Sequence, residues 1–295
     1  MAGPAQAAQH NGTVHPTVAG GISTVAGGVG GPGRATNVSL DHISNSEIDV
    51  GVPPCGVTFS HALYIAQGYA LRKVNPATDA LTTPAGTFEY GPAGSGGPAT
   101  GASLDSCSVA VDHHGNLIIA DRDNSGIRVV AAKTGTFYGQ AMTAGDIYDV
   151  AGVGNVGPLT VDRNGNIVVA SQYPSAAQGA VLMVVAAKTG YFYATHMTAG
   201  DVYRIAGVEA ESGTVYSGNG GPIGKSTLGN ELADIRTDAA GNIVMAGTTA
   251  SRVLVIANQT GTFYGQAMTK WHIYSVAGTG SQGFTGTAAP PPRRR

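Results

Sequence analysis

Charge, cysteine and long apolar runs are all scarce in this 295-residue chain. Charged residues make up 12% of it, about half the usual share, and the net charge of −2 leaves no basic footprint for nucleic acid. The longest apolar run, 181–187, is far shorter than the roughly 20 residues of a membrane-spanning helix. Two cysteines are too few for a disulfide scaffold. These absences predict that neither nucleic acid nor a membrane is a partner.

Glycine, in contrast, is abundant, with 45 residues, while hydrophobic residues at 42% are sufficient for a sizeable core. Long surface helices use Lys, Glu, Arg and Gln, and the scarcity of charge disfavours them. The composition therefore predicts an ordered chain of many short strands joined by tight turns. The N-terminus has neither a basic segment nor an apolar segment of a signal peptide, so we expect a cytoplasmic chain or a mature secreted one.

Internal repetition is the strongest pattern in the sequence. Three long segments resemble one another, at 127–152, 181–207 and 253–278. Each follows a shorter shared element that contains Asp-x-x-Gly-Asn, at 109–120, 159–170 and 235–246, and a weaker copy of the unit occupies 56–86. The unit predicts four strands, called a to d, in which Asp, Asn and Gly form the a–b turn. Short strands rich in Val and Ile with glycine punctuation are typical of an antiparallel meander.

Repeated four-stranded meanders predict an all-β protein, a β-propeller of four-stranded antiparallel blades. A solenoid is the alternative. Four units and one leading strand, Ile22 to Gly27, make one strand more than four blades need. We favour a closed ring of four to five blades, and a homodimeric ring is the second hypothesis. The predicted boundaries are a flexible segment over 1–20, the propeller over 21–280 and a flexible tail over 281–295.

The repeats resemble the NHL family of propeller repeats, in the glycine-rich form common in actinobacterial proteins. The resemblance is carried by 109–112 (VAVD), 115–117 (GNL) and 120–124 (ADRDN) leading into 127–129 (IRV). It covers roughly residues 20–280 and implies the fold, not an activity. The chain departs from the family in its long c–d insertions, such as TGTFYGQAMTAGD, and in its low number of repeats.

In a propeller the d–a and b–c loops share one face, the top face, where ligands commonly bind. The b–c loops differ between repeats, and this divergence makes them candidate ligand-binding segments. The candidate ligand-binding residues are Gln67, Tyr69, Asp121, Arg122, Asp123, Asn124, Gln172 and Tyr173. Simple divergence of the repeats is the alternative explanation, and 121–124 also fits an ordinary NHL turn whose side chains bond local amides.

Strand a of the fourth repeat carries a carboxylate and a guanidinium two residues apart, at Asp234 and Arg236. If the protein is an enzyme, these two residues, with Glu231 and Asp121, are the candidates for catalysis or for anchoring a charged substrate. The alternative is an ion pair that neutralises itself.

Neither the cysteines nor the eight histidines show metal-ligand spacing, so we expect no metal and no cofactor. Cys55 and Cys107 occupy equivalent positions, which fits two buried thiols or a disulfide between adjacent blades. The insertions repeat a Phe-Tyr pair at 137–138, 192–193 and 263–264. These pairs fit either packing between blades or an exposed aromatic rim that binds a glycan or protein.

The sequence favours a non-catalytic binding or interaction module that presents its top-face loops to a small molecule, glycan or partner protein. The alternative is a small-molecule enzyme of the lyase, hydrolase or cyclase type at the channel mouth, with a role in bacterial secondary metabolism. An enzyme predicts convergent carboxylates in a deep pocket, whereas a rim-binding module predicts Phe-Tyr pairs exposed to solvent.

Overall fold

A computed structural model describes residues 33–35, 57–122, 126–171, 179–208 and 216–283. Four antiparallel sheets form a four-bladed β-propeller, as the repeats predict. In each sheet strand a is innermost and strands b, c and d follow outward. The leading strand predicted at 22–27 lies outside the described residues.

Blades 1 and 2 each carry four strands and an additional short strand against strand d. Blade 1 consists of β1 (Gly33–Arg34), β2 (Val57–Phe59), β3 (Leu63–Gln67), β4 (Ala70–Asn75) and β5 (Ala80–Ala85). Blade 2 consists of β6 (Gly97–Pro98), β7 (Ser106–Val111), β8 (Leu117–Asp121), β9 (Gly126–Val130), the insertion hairpin β10 (Gly135–Phe137) and β11 (Gln140–Met142), and β12 (Asp146–Gly152).

Blades 3 and 4 repeat this order, and both contain the insertion hairpin between strands c and d. Blade 3 consists of β13 (Val156–Val161), β14 (Ile167–Ser171), β15 (Val181–Val185), the hairpin β16 (Gly190–Phe192) and β17 (Thr195–Met197), and β18 (Val202–Ala206). Blade 4 consists of β19 (Leu232–Thr237), β20 (Ile243–Gly247), β21 (Arg252–Ile256), the hairpin β22 (Gly261–Phe263) and β23 (Gln266–Met268), and β24 (Ile273–Ala277). Short 3-10 turns occupy Ala99–Gly101 and Ile223–Lys225.

Successive side chains of a strand point to opposite faces of the sheet. Each blade therefore has two apolar faces, one toward each neighbouring blade. In blade 2, Val109 and Ile119 pack toward blade 1, whereas Ile118 and Val129 pack toward blade 3. The cores between blades 1 and 2, 2 and 3, and 3 and 4 are each continuous. The blades therefore stabilise one another by burying both faces.

The seam between blades 4 and 1 differs from the other three. Among the described residues, the face of blade 1 around Ile65 and the face of blade 4 around Val255 form separate apolar clusters. At the innermost strands, Arg236 Nη2 donates to the Val57 carbonyl at 3.4 Å. A polar contact between inner strands thus joins the first and last blades.

The d–a loops add an outer edge to some blades. Gly97–Pro98 pairs with strand d of blade 2, Gly33–Arg34 pairs with strand d of blade 1, and Pro222 forms a bridge to His272 in blade 4. Blade 3 is preceded by only residues 153–155, a connection too short to return along strand d. The length of the d–a loop therefore decides whether a blade gains this edge.

The Asp-x-x-Gly-Asn turn forms the same hydrogen bonds in blades 2, 3 and 4. In blade 3, Asp162 Oδ1 accepts from the amides of Asn164 and Asn166, and its Oδ2 accepts from Asn166 Nδ2. Asn166 Oδ1 then accepts from the Ala187 amide at 2.9 Å, which ties the a–b turn to the end of strand c. The paired Asp and Asn are therefore structural residues.

The c–d insertions fold into hairpins whose tyrosines enter the seams between blades. Tyr138 and Tyr193 are both only 5% exposed, and their hydroxyls bond Asp112 and Asp162. Burial, together with these carboxylates, raises the pKa of both tyrosines well above the ordinary value. In blades 2 and 3 the hypothesis of an exposed aromatic rim is therefore wrong, and the packing alternative applies.

Replacing Tyr193 by phenylalanine should lower the free energy of unfolding by about 1.5 kcal/mol near pH 7, because a buried bond to a carboxylate is lost. The deficit should shrink above pH 10, the ordinary tyrosine pKa. The raised pKa makes the neutral hydroxyl's contribution complete below that pH, and it is lost as the pH rises toward the folded-state value. Urea unfolding across the alkaline range measures both effects. An equal deficit at every pH would contradict this account.

Candidate functional site

Exposed aromatic side chains gather on the top face of blade 1. Tyr69 in the b–c turn is 43% exposed, and Phe88 and Tyr90 in the following d–a loop are 52% and 65% exposed. We call these three residues the aromatic cluster. Val57, 47% exposed, begins strand a on the same face. A grouping of exposed apolar rings makes this face a candidate contact surface.

The aromatic cluster has a defined geometry. The rings of Tyr69 and Tyr90 meet edge to face, with centroids 5.8 Å apart and planes at 76°. The guanidinium carbon of Arg72 lies 5.3 Å from the centroid of the Phe88 ring. Arg72 is only 3% exposed, and burial lowers its pKa. The exposed Phe88 ring therefore packs against a cation held within the blade.

Backbone hydrogen bonds hold the two loops of the cluster together. The Phe88 amide donates to the Tyr69 carbonyl at 3.3 Å. The amide and hydroxyl of Ser106 both donate to the Gly68 carbonyl, at 2.7 and 2.6 Å, which fixes the turn on blade 2. Ser103 Oγ accepts from the Ala93 amide farther along the d–a loop. Hydrogen bonds therefore fix the positions of the two loops that carry the aromatic cluster.

Gln67 and Asp121, both predicted ligand-binding residues, occupy equivalent ends of strand b in blades 1 and 2 and are both buried. Gln67 Oε1 is a buried atom with no hydrogen-bond partner in the described structure. Asp121 Oδ2 pairs with Arg128 Nη1 at 3.2 Å, and both side chains are completely buried. Asp121 Oδ1 accepts from the Asp105 amide. Asp121 therefore acts within the fold, away from solvent.

Of the other predicted residues of this face, Arg122 is described and four are not. Arg122 Nε lies 3.7 Å from Asp105 Oδ2 beside strand b of blade 2. The remaining four fall outside the described residues, namely Asp123, Asn124, Gln172 and Tyr173. Of the predicted set, only Tyr69 belongs to the aromatic cluster.

Asp234 and Arg236 form an ion pair on strand a of blade 4, with Oδ1 and Nη1 2.7 Å apart and both side chains about half exposed. Arg236 also donates to the Val57 carbonyl across the seam. Glu231 Oε2 accepts from the Thr248 hydroxyl at 2.9 Å. Each charged candidate for catalysis is thus engaged with a neighbouring group of the fold.

Sequence reasoning did not name Phe88 and Tyr90. Both belong to the d–a loop after blade 1, in the segment TFEYG at 87–91. Two aromatic residues so close together could have marked this d–a loop as a candidate site, since the other d–a loops are rich in glycine and small residues. Their proximity to Tyr69 depends on the backbone bond between the two loops, which no sequence pattern shows.

Other centres of chemistry are few in the described part of the chain. It contains no group of three or more His, Cys, Asp or Glu side chains placed to hold a metal ion. Buried Cys107 places its sulfur 3.5 Å from the Val156 carbonyl of blade 3, and Cys55 lies outside the described residues. None of the described helical segments has the length and apolar character to cross a membrane.

A cleft of about 440 Å³ lies at the outer edge of blade 4, beside Tyr216 and Arg252. Burial raises the pKa of Tyr216 to about 12, although nearby Arg252 acts in the opposite direction. Arg252 donates to Ser275 Oγ and to the carbonyls of Gly278 and Thr279. The guanidinium is therefore hydrogen-bonded to strand d of blade 4 and to the two residues that follow it.

The described residues form a β-propeller with an exposed aromatic cluster on its top face. No family model matches the chain, and no curated protein matches it. It is similar to solved structures, among them two auxiliary nutrient binding proteins. The one from Bacteroides thetaiotaomicron has 12% identity over 79% of this chain and 44% of that chain, with a TM-score of 0.43. The one from Bacteroides ovatus has 14% identity over 78% of this chain and 43% of that chain, with a TM-score of 0.43.

A streptogramin B lyase structure is also similar, with 12% identity over 71% of this chain and 54% of that one and a TM-score of 0.41. The chain thus spans about half the length of these proteins. Similarity at this level carries no argument about function.

Proposed function

We propose that the chain is an NHL-type β-propeller that acts as a non-catalytic binding module, with the aromatic cluster of blade 1 as its contact surface. The single observation that supports the binding role is the gathering of Tyr69, Phe88 and Tyr90, all exposed, from two loops of one face. Tyrosine combines a large apolar ring with a hydroxyl and has little conformational freedom to lose, so it suits recognition.

The proposed ligand is a glycan or a small molecule with an apolar ring face. Tyr69 and Tyr90 meet edge to face and form a corner, and a ring that stacks on one tyrosine can contact the edge of the other. Exposed Glu89 stands between Phe88 and Tyr90 and supplies carboxylate acceptors for hydroxyl groups. The alternative of an enzyme has less support, because Asp121, Asp234 and Glu231 are engaged within the fold.

A glycan array followed by titration calorimetry tests the proposal. The double variant Tyr69→Ala and Tyr90→Ala should weaken binding of the selected glycan by up to about 1,000-fold, since central aromatic contacts each contribute about 2 kcal/mol and about 1.4 kcal/mol is tenfold in Kd. Both side chains are exposed, so the fold should persist. Tyr191→Ala is the matched control, because Tyr191 is 71% exposed on the hairpin of blade 3, on another part of the surface. A glycan whose affinity falls with the control variant and not with the double variant would refute the assignment.

A further inference from the structure

The insertion hairpin of blade 2 is seated on blade 3 through its tip, Tyr138 and Gly139. The Tyr138 hydroxyl donates to the Gly165 carbonyl of the next a–b turn at 3.2 Å. A β-carbon on Gly139 would lie 2.9 Å from the Ala199 carbonyl oxygen, and one on Gly200 would lie 2.5 Å from the Tyr138 carbonyl oxygen. The tip therefore contacts a seat formed by Gly165 and the Ala199-Gly200 turn, with the two backbones in close approach.

Blade 4 carries the same tip, and no seat for it is found among the described residues. Its hairpin sequence TGTFYGQAMT at 260–269 is identical to that at 134–143. Tyr264 is nevertheless 50% exposed, against 5% for Tyr138, and its hydroxyl bonds Asp238 of its own blade. No described atom lies within 4 Å of the point where a β-carbon on Gly265 would stand. An identical segment that is buried in one copy is therefore exposed in the other.

Blade 2 carries the same seat without a tip. The segment MTAGD at 142–146 is identical to that at 197–201, and Gly115 corresponds to Gly165. Gly115, Ala144 and Gly145 are exposed, and nothing described lies within 4 Å of the position of a β-carbon on Gly145. The seat is open because blade 1 joins its strands c and d by a short turn, Asn75 to Ala80, instead of a hairpin.

Both open positions carry glycine, as do the tip and seat that meet between blades 2 and 3. Gly265 and Gly145 have φ of 75° and 84°, but Ala194 and Trp271 adopt φ of 63° and 58° at the equivalent positions of blades 3 and 4. Side chains are thus tolerated there by the backbone. Close approach between a tip and a seat, as between blades 2 and 3, does require glycine on both sides. The open tip and open seat keep both glycines.

We propose that the tip of blade 4, Tyr264 and Gly265, docks on the seat of blade 2 in a second copy of this chain. The occupant is a second copy because this chain supplies both halves of the contact, and blades 2 and 3 show how they fit. Tip and seat are different surfaces, so two copies either exchange two such contacts in a closed dimer or join through single contacts into an extended chain. The contact is independent of the aromatic cluster, which lies on the face opposite the a–b turns.

Sedimentation equilibrium on the full chain from about 1 μM to about 1 mM, the range appropriate to a small interface, tests the proposal. The wild type should associate within this range. Tyr264→Ala removes the ring of the tip, and Ala144→Arg places a bulky charge on the seat, where Ala144 is exposed. Each variant alone should raise the Kd about tenfold or more, and Tyr191→Ala should leave it unchanged.

A mixture of the two variants supplies the decisive measurement. The Tyr264→Ala chain keeps an intact seat and the Ala144→Arg chain keeps an intact tip, so an equimolar mixture should form a heterodimer with wild-type-like affinity per contact. Circular dichroism confirms that each variant is folded, and Ala144→Arg suffices if Tyr264→Ala is not. A monomeric wild type, association that neither variant weakens, or no recovery in the mixture would each overturn the proposal.

Discussion

Replacing Arg128 by methionine is expected to lower the free energy of unfolding by about 3–5 kcal/mol, because it leaves the buried Asp121 carboxylate without its counter-charge. Arg128 is completely buried, and its Nε lies 2.9 Å from Asp149 Oδ1. Its Nη1 and Nη2 donate to the carbonyls of Ser103 and Ala93, at 2.8 and 3.2 Å. One guanidinium therefore joins strands b, c and d of blade 2 to the d–a loop.

Blade 3 supplies the matched control for this experiment. The residues equivalent to Arg128 and Asp121 are Met183 and Ser171 in that blade, which folds without the ion pair. The double variant Arg128→Met and Asp121→Ser should therefore recover about half of the loss, and the unpaired carbonyls of the loop account for the rest. Urea unfolding of the three proteins measures the effect. A double variant less stable than Arg128→Met would show that charge pairing is not the cause.

Asp162→Ala is expected to lower the free energy of unfolding by about 3 kcal/mol, because four hydrogen bonds to one buried carboxylate are lost. Asp238→Ala is its matched control. Asp238 makes the same set of bonds, with Ala240, Asn242 and Tyr264, but it is only partly buried. Its loss should cost about 1 kcal/mol, since water replaces the missing partner. Equal losses would contradict a role for burial.

The contribution of the Asp238 hydrogen bonds to stability should depend on pH in the acid range. Burial raises the pKa of this carboxyl, but hydrogen bonds from Asn242, Tyr264 and the turn amides outweigh burial, and the net pKa falls below its ordinary value of 3.8. A lowered pKa stabilises the fold above the ordinary value, and the contribution is lost as the pH falls through the folded-state value. The difference between wild type and Asp238→Ala should therefore narrow in acid, as chemical unfolding at low pH can measure.

The repeat pattern predicted the blades because each carries its own local information. Alternating Val and Ile define the strands, and Asp112 and Asn116 mark a turn that recurs with the same bonds in three blades. The number of strands per blade and their antiparallel order are confirmed. The same pattern could not decide whether the Phe-Tyr pairs form an exposed rim or pack in the seams between blades, because identical sequences occupy different surroundings in blades 2 and 4.

The candidate site was harder to predict from the sequence than the fold, because it depends on contacts between loops and on burial. Tyr69 stood out as a departure from the repeat, but Phe88 and Tyr90 reach it through contacts between loops. The burial of Asp121 depends on Arg128, whose position in the c strand is taken by Met183 in blade 3, Leu254 in blade 4 and Arg72 in blade 1. From sequence alone, an arginine in a strand fits a solvent-exposed position, and its burial becomes evident only when the packing of the strand is known.

Trp271 gives the molecule an optical property. It is the single tryptophan of the chain, and it occupies the position that glycine holds in the Ala199-Gly200 turn. Its ring lies 4.8 Å from that of Tyr193, on the seam between blades 3 and 4. Tyrosine excited in the ultraviolet passes energy to a tryptophan so near. Indole emission is therefore a local signal of whether the third and fourth blades are joined.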